Sequence, residues 1–210
     1  MEDGTERWLN HYSSKQQILL VGEGNFSFSL SLARAFGSAA NMTATSLDTH
    51  EELRKKYGTE AVANVEALKA LGCTIMHGVD VHAMSQHIDL RSKRYDRIVF
   101  NFPHAGANVI CRALEGFMIT DNQVLVRGFL KNAGEMVKED GEIHVTHKTT
   151  HPYNMWGVET LGREVNLCLV KEVPFFVSYY PGYVNMRGCT MNSDSTFHVG
   201  NASTFMFRKV

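Results

Sequence analysis

The chain passes from a short apolar run, Ile18-Leu19-Leu20-Val21, straight into Gly22-Glu23-Gly24-Asn25-Phe26-Ser27 and then into a segment of helical spacing. An apolar run of strand length, a turn with two glycines, and Phe28, Leu32, Ala35 and Phe36 at helical intervals read together as the first β-α unit of an open α/β sheet. Glycines at such a turn let the backbone come close to a ligand. Ser27 is the expected cap of the helix and Gly37 its stop.

Further runs of strand length occur at Met42 to Leu47, Thr74 to Val79, Arg97 to Phe100, Ile143 to Val145, Leu167 to Val173 and Thr204 to Phe207. Val126, Phe129, Leu130, Ala133, Met136 and Val137 form an amphipathic stripe, and Glu139-Asp140-Gly141 reads as a turn before a strand at Glu142. After Val170 the rhythm changes: Pro174, the Phe175 to Tyr180 segment and the Pro181-Gly182 turn precede a last apolar run, which predicts a terminal antiparallel hairpin. These elements predict an α/β chain with a mostly parallel, seven-stranded sheet, its strand order left open. At 210 residues, one domain spanning 1–210 is expected.

Charge and cysteine usage narrow the partners. With 21 Lys+Arg against 22 Asp+Glu there is no global positive field, so any RNA site must be local or borrowed from a partner. Cys73, Cys111, Cys168 and Cys189 are far apart with no C-x-x-C pair, which argues against a disulfide framework and a cysteine zinc site and for a reducing compartment. Met1 to Gln17 lacks the apolar run of a signal peptide, and no segment approaches a membrane span; a soluble, intracellular protein is expected.

The chemistry-bearing residues fall at strand ends. Position 27 is serine, so the full G-x-G-x-x-G pattern is absent and a pyrophosphate ligand loses support. Asp48 ends the second strand, where a carboxylate can accept from both ribose hydroxyls; the alternative is a cap for the following helix. The fourth strand leads into Asn101-Phe102-Pro103-His104. This resembles the Asn-Pro-Pro-aromatic signature of amino and ring-nitrogen methyltransferases, with Phe102 for the first proline and His104 for the aromatic. His104 could stack on a base or take a proton from it; the plain alternative is a proline-broken loop after a buried strand.

Taken together, I-L-L-V-G-E-G-N-F-S-F-S (18–29), Asp48, Tyr57-Gly58, Asp80, Y-D-R-I-V-F-N-F-P-H-A-G (95–106), Val126 to Phe129, Glu142 to Lys148 and Pro152-Tyr153 resemble one family. Its members are Rossmann-like enzymes that methylate a ring nitrogen of uridine in large-subunit ribosomal RNA. The resemblance implies a three-layer Rossmann-like methyltransferase sandwich and S-adenosylmethionine as methyl donor. It implies that Gly22, Glu23, Gly24, Asn25, Phe26, Ser27, Asp48 and Asp80 hold the donor, and that Asn101, Pro103 and His104 form the catalytic group. The implied partner is ribosomal RNA or a preribosomal particle, in the nucleus, nucleolus or cytoplasm, with neither DNA nor membrane.

Ten histidines are many for this length, and His144, His147 and His151 cluster beside Lys148. Strand alternation puts His144 and His147 on opposite faces, and no nearby Cys or acid completes a ligand set, so no metal is expected. His147, Lys148 and Tyr153 are expected to line the substrate mouth. Among Tyr153, Trp156, Tyr179, Tyr180 and Tyr183, one or two would stack on bases, with Arg163, Lys171 and Arg187 as phosphate contacts. Two rival functions remain: a nicotinamide-dependent oxidoreductase, disfavoured by the short glycine motif, and a catalytically silent nucleotide-binding module.

Overall fold

A computed structural model describes residues 5–106, 115–188 and 194–210. Strands β1 (Trp8–Leu9) and β2 (Tyr12–Ser13) form a small antiparallel hairpin. The main sheet contains β3 (Ile18–Val21), β4 (Met42–Thr45), β5 (Thr74–Met76), β6 (Tyr95–Asn101), β7 (Val137–Lys148), β8 (Leu167–Pro174) and β9 (Ala202–Lys209). The helices are α1 (Ser27–Phe36), α2 (His50–Ala70), α3 (Glu115–Met136) and α4 (Val158–Glu164). The sheet order is β5-β4-β3-β6-β7-β9-β8. Pairing is parallel from β5 through β7, and β9 runs antiparallel to both β7 and β8. The expected terminal hairpin is therefore present, with its later strand inserted next to β7.

Strand β3 explains why the sheet is sandwiched. Ile18 and Leu20 face a core built with α1 and α2, while Leu19 and Val21 face a second core with α3 and α4. A strand covered on both faces must be apolar at every position, which is what the continuous run encodes. The stripe from Val126 to Val137 is buried as expected.

Local chemistry departs from expectation at three places. The cap of α1 is Phe26, at φ 60°, and Ser27 is the first helical residue; Gly37 closes the helix in the left-handed region, donating its N–H to the Ala33 carbonyl. The 139–141 turn is a bulge within β7 instead of a connection before it. Pairing jumps from Tyr95↔Val137 to Arg97↔Glu142. Gly141 suits this excursion because a Cβ there would lie 2.5 Å from Val137 Cγ2 and 2.9 Å from the Tyr95 carbonyl oxygen. Strands β4 and β5 stop at Thr45 and Met76, before the predicted ends at Leu47 and Val79. Cys111 and Cys189 lie outside the described residues.

Candidate active site

The carboxyl ends of β3, β4 and β6 open into a cavity of about 440 Å³. Gly22, Glu23, Gly24 and Asn25 form its floor, Asp48 and Asp80 line one side, and Asn101 and His104 the other. Gly22 adopts φ +64°, and a Cβ on it would lie 2.4 Å from the Phe100 ring, so this turn requires glycine. A Cβ on Gly24 would sit 3.3 Å from the Tyr57 phenolic oxygen. The backbone is thereby left bare toward the cavity, the condition for close approach to a ligand.

Two polar side chains on this floor, Glu23 and Asn25, are buried. The Glu23 carboxyl is buried and accepts from the Ser29 backbone N–H at 3.2 Å. Burial raises its pKa to about 7, against the lowering effect of the Ser29 bonds. Asn25 Oδ1 accepts from Ser27 N–H and hydroxyl at 3.1 and 2.7 Å, while its Nδ2 is buried with no partner among the described residues. Such an orphan costs stability unless something else accepts from it.

Asp48 forms an ion pair with Lys56, and its side chain is only 13% exposed. It does not cap α2: Thr49 does, in a reciprocal capping box with Glu52. The helix-cap alternative for Asp48 is thus removed, and its carboxylate stays at the cavity wall. Asp80 Oδ1 accepts from His82 N–H at 2.9 Å and the residue is exposed. Phe26 and Ser27 do not line the cavity. Phe26 is core, and the Ser27 hydroxyl accepts from Val184 N–H at 3.0 Å, which ties α1 to the C-terminal segment.

Asn101 ends β6, and both side-chain atoms, Oδ1 and Nδ2, are buried with no hydrogen-bond partner among the described residues. Its neighbours fix it from both sides. Phe102 turns the chain at φ 49°, donates its N–H to the Thr146 carbonyl at 2.8 Å, and packs edge-on against Phe175 and Phe197. A non-glycine residue at such a φ costs on the order of 1 kcal/mol, a strain characteristic of sites. Pro103 is buried, and Ala105 N–H donates to Asn122 Oδ1 on α3 at 2.8 Å. The His104 Nδ1 accepts from Gly106 N–H at 3.0 Å. Although His104 is exposed as a residue, its ring is desolvated enough to lower its pKa. The imidazole is therefore neutral near pH 7, with its proton on Nε2, so it can donate or stack there but cannot accept a proton without giving up the Gly106 bond.

A second cavity, of about 350 Å³, adjoins the first, and Phe102, His104, Met186, Arg187 and Phe197 line both. His147, Lys148 and Tyr153 line this second cavity with Trp156. His147 is a wall: its ring stacks on Trp156 at 4.2 Å, Nε2 bonds the Tyr153 carbonyl at 2.8 Å, and burial lowers its pKa to about 4. His144, on the opposite face of β7 as expected, is structural, bonded to the Tyr12 hydroxyl at 3.0 Å and to Glu142 at 3.1 Å. That bond, with Arg208 and Arg97, holds the Glu142 carboxylate at about 2. Among the described residues no three His, Cys, Asp or Glu side chains converge as a metal set.

Other expectations are placed elsewhere. Arg163 pairs with Glu159 on α4, Lys171 lies on edge strand β8, and Tyr180 is core; none of them lines either cavity, nor does Tyr179. Tyr183 and Arg187 do. Met186, Gly188 and Phe197 were not singled out by sequence, since they carry no periodicity and no motif.

The strand order and two-sided helical packing are those of the Rossmann-like methyltransferase fold. Similarity to solved structures agrees: an N-methyltransferase NodS from Bradyrhizobium japonicum, solved with S-adenosyl-L-homocysteine, superposes with TM-score 0.52 over 91% of this chain and 76% of its own, at 14% identity. The chain belongs to the BMT5-like family, described as rRNA (uridine-N3-)-methyltransferase, whose model matches residues 19–187. An uncharacterised Arabidopsis thaliana protein is 56% identical over 97% of both chains. Another Arabidopsis relative, heavy metal-associated isoprenylated plant protein 41, is 45% identical, and this chain spans 40% of its length. A 25S rRNA (uridine(2634)-N(3))-methyltransferase of Saccharomyces cerevisiae is 23% identical over 84% of this chain and 67% of its own. The bare Gly22 turn, the Asn25 orphan donor and the Asp48 carboxylate suit the methionine and ribose parts of S-adenosylmethionine. Among the described residues no helix is long and apolar enough to cross a membrane.

Proposed function

We propose that this chain methylates N3 of uridine in large-subunit ribosomal RNA, working inside the cell on ribosomal RNA or a preribosomal particle. The observation that carries the reading is the Asn101 amide, buried and unpartnered in the wall of the donor cavity, one residue from the loop that forms the second cavity. A buried amide with neither donor nor acceptor satisfied awaits a ligand that offers both, and the edge of a uracil ring offers an N–H beside a carbonyl oxygen. The family description and the yeast relative support uridine as that ligand.

S-adenosylmethionine supplies an electrophilic methyl group when bound. Methyl transfer is an in-line displacement, so the protein's task is to place the ring nitrogen opposite that methyl. Asn101 holds the base edge, Pro103 fixes the turn, and His104 contributes a ring face or its Nε2 proton. The backbone at Gly22 to Asn25, with Asp48 and Asp80, holds the donor. His147, Lys148 and Tyr153 shape the acceptor side.

The test is mass spectrometry of nucleosides from large-subunit RNA of cells lacking the protein, with donor binding measured by calorimetry on the purified chain. Loss of 3-methyluridine, restored by wild type and not by Asn101→Ala, supports the reading. Unchanged 3-methyluridine with intact donor binding points to a silent module, and absence of donor binding removes methyl transfer altogether.

A further inference from the structure

The two cavities differ in charge, and the second has an uncommon lining. Lys148 and Arg187 stand among three histidines and four aromatic rings, and among the described residues no Asp or Glu lines it. Lys148 is not a loosely solvated surface lysine. Its Nζ lies 5.0 Å from the Tyr153 ring centroid and 4.9 Å from that of Phe197, so the ammonium is clasped between two ring faces. Two of the histidines add no charge near neutral pH, since burial keeps His147 and His104 unprotonated. Arg187 is fixed through its backbone N–H to the Ser195 carbonyl at 3.0 Å. Burial and the nearby Arg187 guanidinium both lower the pKa of Lys148.

An arrangement of this kind accepts an anion that also carries a flat ring. Uridine N3 lies on the base-pairing edge, so a paired uridine cannot present it, and a reacting uridine must leave its stack. It must also lose the N3 proton. When the N3–H bond breaks, its electron pair remains on the ring as negative charge shared by O2, N3 and O4, and the proton passes to water. We propose that the second cavity receives one uridine turned out of its helix, and that Lys148, with Arg187 beside it, holds the imide as its anion. This rests on the uridine reading and extends it by naming the group that makes the ring nitrogen nucleophilic. Lys148 is then a catalytic residue, touching the base oxygen on which charge develops.

RNA phosphates are the other anions such a cavity could take, and the test separates the two. The chain has two tryptophans; Trp156 lies in the cavity wall and Trp8 is an exposed residue of β1. In a Trp8→Phe background, Trp156 fluorescence reports binding of unstructured RNA pentamers with four adenosines around one central uridine, 5-fluorouridine or cytidine. All three carry identical phosphates. Cytidine has no imide, and ring fluorination makes the imide more acidic. The expected order is 5-fluorouridine tightest, about tenfold over uridine, then uridine, then cytidine, as a charge-assisted contact is gained and lost. Lys148→Gln should erase the fluorouridine preference, and Lys148→Arg should keep most of it. Equal binding of uridine and cytidine, or no binding at all, overturns the uridine pocket. Preference for uridine with no gain from fluorine, or a gain that survives Lys148→Gln, overturns the role given to Lys148 and leaves the uridine reading standing.

Discussion

The donor cavity and the acceptor cavity share a wall, yet they are made in different ways. The donor side is built around residues at or just after the ends of β3, β4 and β6, with Asp80 in the segment that follows β5 and further walls from α2, α3 and residues 183–188, and four of its lining residues, Glu23, Asp48, Asp80 and Asp121, are acids. The acceptor side joins the loop after β6, the end of β7, the Tyr153–Trp156 turn and Met186, Arg187, Phe197 and His198, and it is cationic and aromatic. The contrast matches what each side must hold: a donor carrying positive charge on one, a base that becomes negative on the other. It also sets the order in which substitutions should act.

The largest effect is expected in the donor-cavity wall one residue before the shared Phe102. Asn101→Ala removes the amide that orients the base and should lower single-turnover methyl transfer by about two decades or more, the scale of a lost positioning contact. Donor affinity by calorimetry should be nearly unchanged, because Asn101 approaches the cavity from β6 and not from the Gly22 to Asn25 floor. A matching loss of donor affinity would show that the two halves are not separable as drawn. The converse substitution, Asp48→Ala, should weaken donor binding by roughly 1–3 kcal/mol through lost charge-assisted hydrogen bonds. RNA pentamer binding should be untouched, and a change there would blur the boundary from the other side.

How legible each half was follows from how each is encoded. Strand β3 and its glycines were readable because burial on both faces leaves an uninterrupted apolar run and because φ +64° beside the Phe100 ring admits only glycine. The histidine alternation on β7 was readable for the same reason, period two along a strand. Phe26 was missed as the cap since an aromatic at φ 60° runs against local preference and is held there by the core. The bulge at 138–141 imitated a turn in sequence, and only the pairing with β6 tells them apart. Met186 and Phe197 were invisible for a stronger reason: they reach the site because Ser27 grips Val184 across the fold, a contact that no local pattern announces.

The most diagnostic effect on stability concerns Glu23, the buried acid of the donor floor. Its folded pKa, about 7, lies above the ordinary 4.5, so the neutral acid is the form the fold prefers. The sign follows from linkage. This group's contribution to stability is fully present below about 4.5 and is lost as pH rises toward about 7, because the unfolded chain ionises first. Glu23→Gln keeps an acceptor for the Ser29 N–H and cannot ionise. It should therefore match wild type near pH 4.5 and exceed it at pH 8 by roughly 3 kcal/mol, a rise of several degrees in Tm. Wild type alone would mislead, since His11 and His147, lowered to about 4 by burial, cost stability as pH falls from 6.5. Only the difference between variant and wild type isolates the glutamate. A cationic donor should shrink that difference by favouring the ionised carboxylate, whereas the RNA pentamers, bound on the far side of the shared wall, should leave it alone. A variant no more stable than wild type at pH 8 would mean that the Glu23 carboxyl already has a counter-charge, and the acid and cation division of the cleft would have to be redrawn.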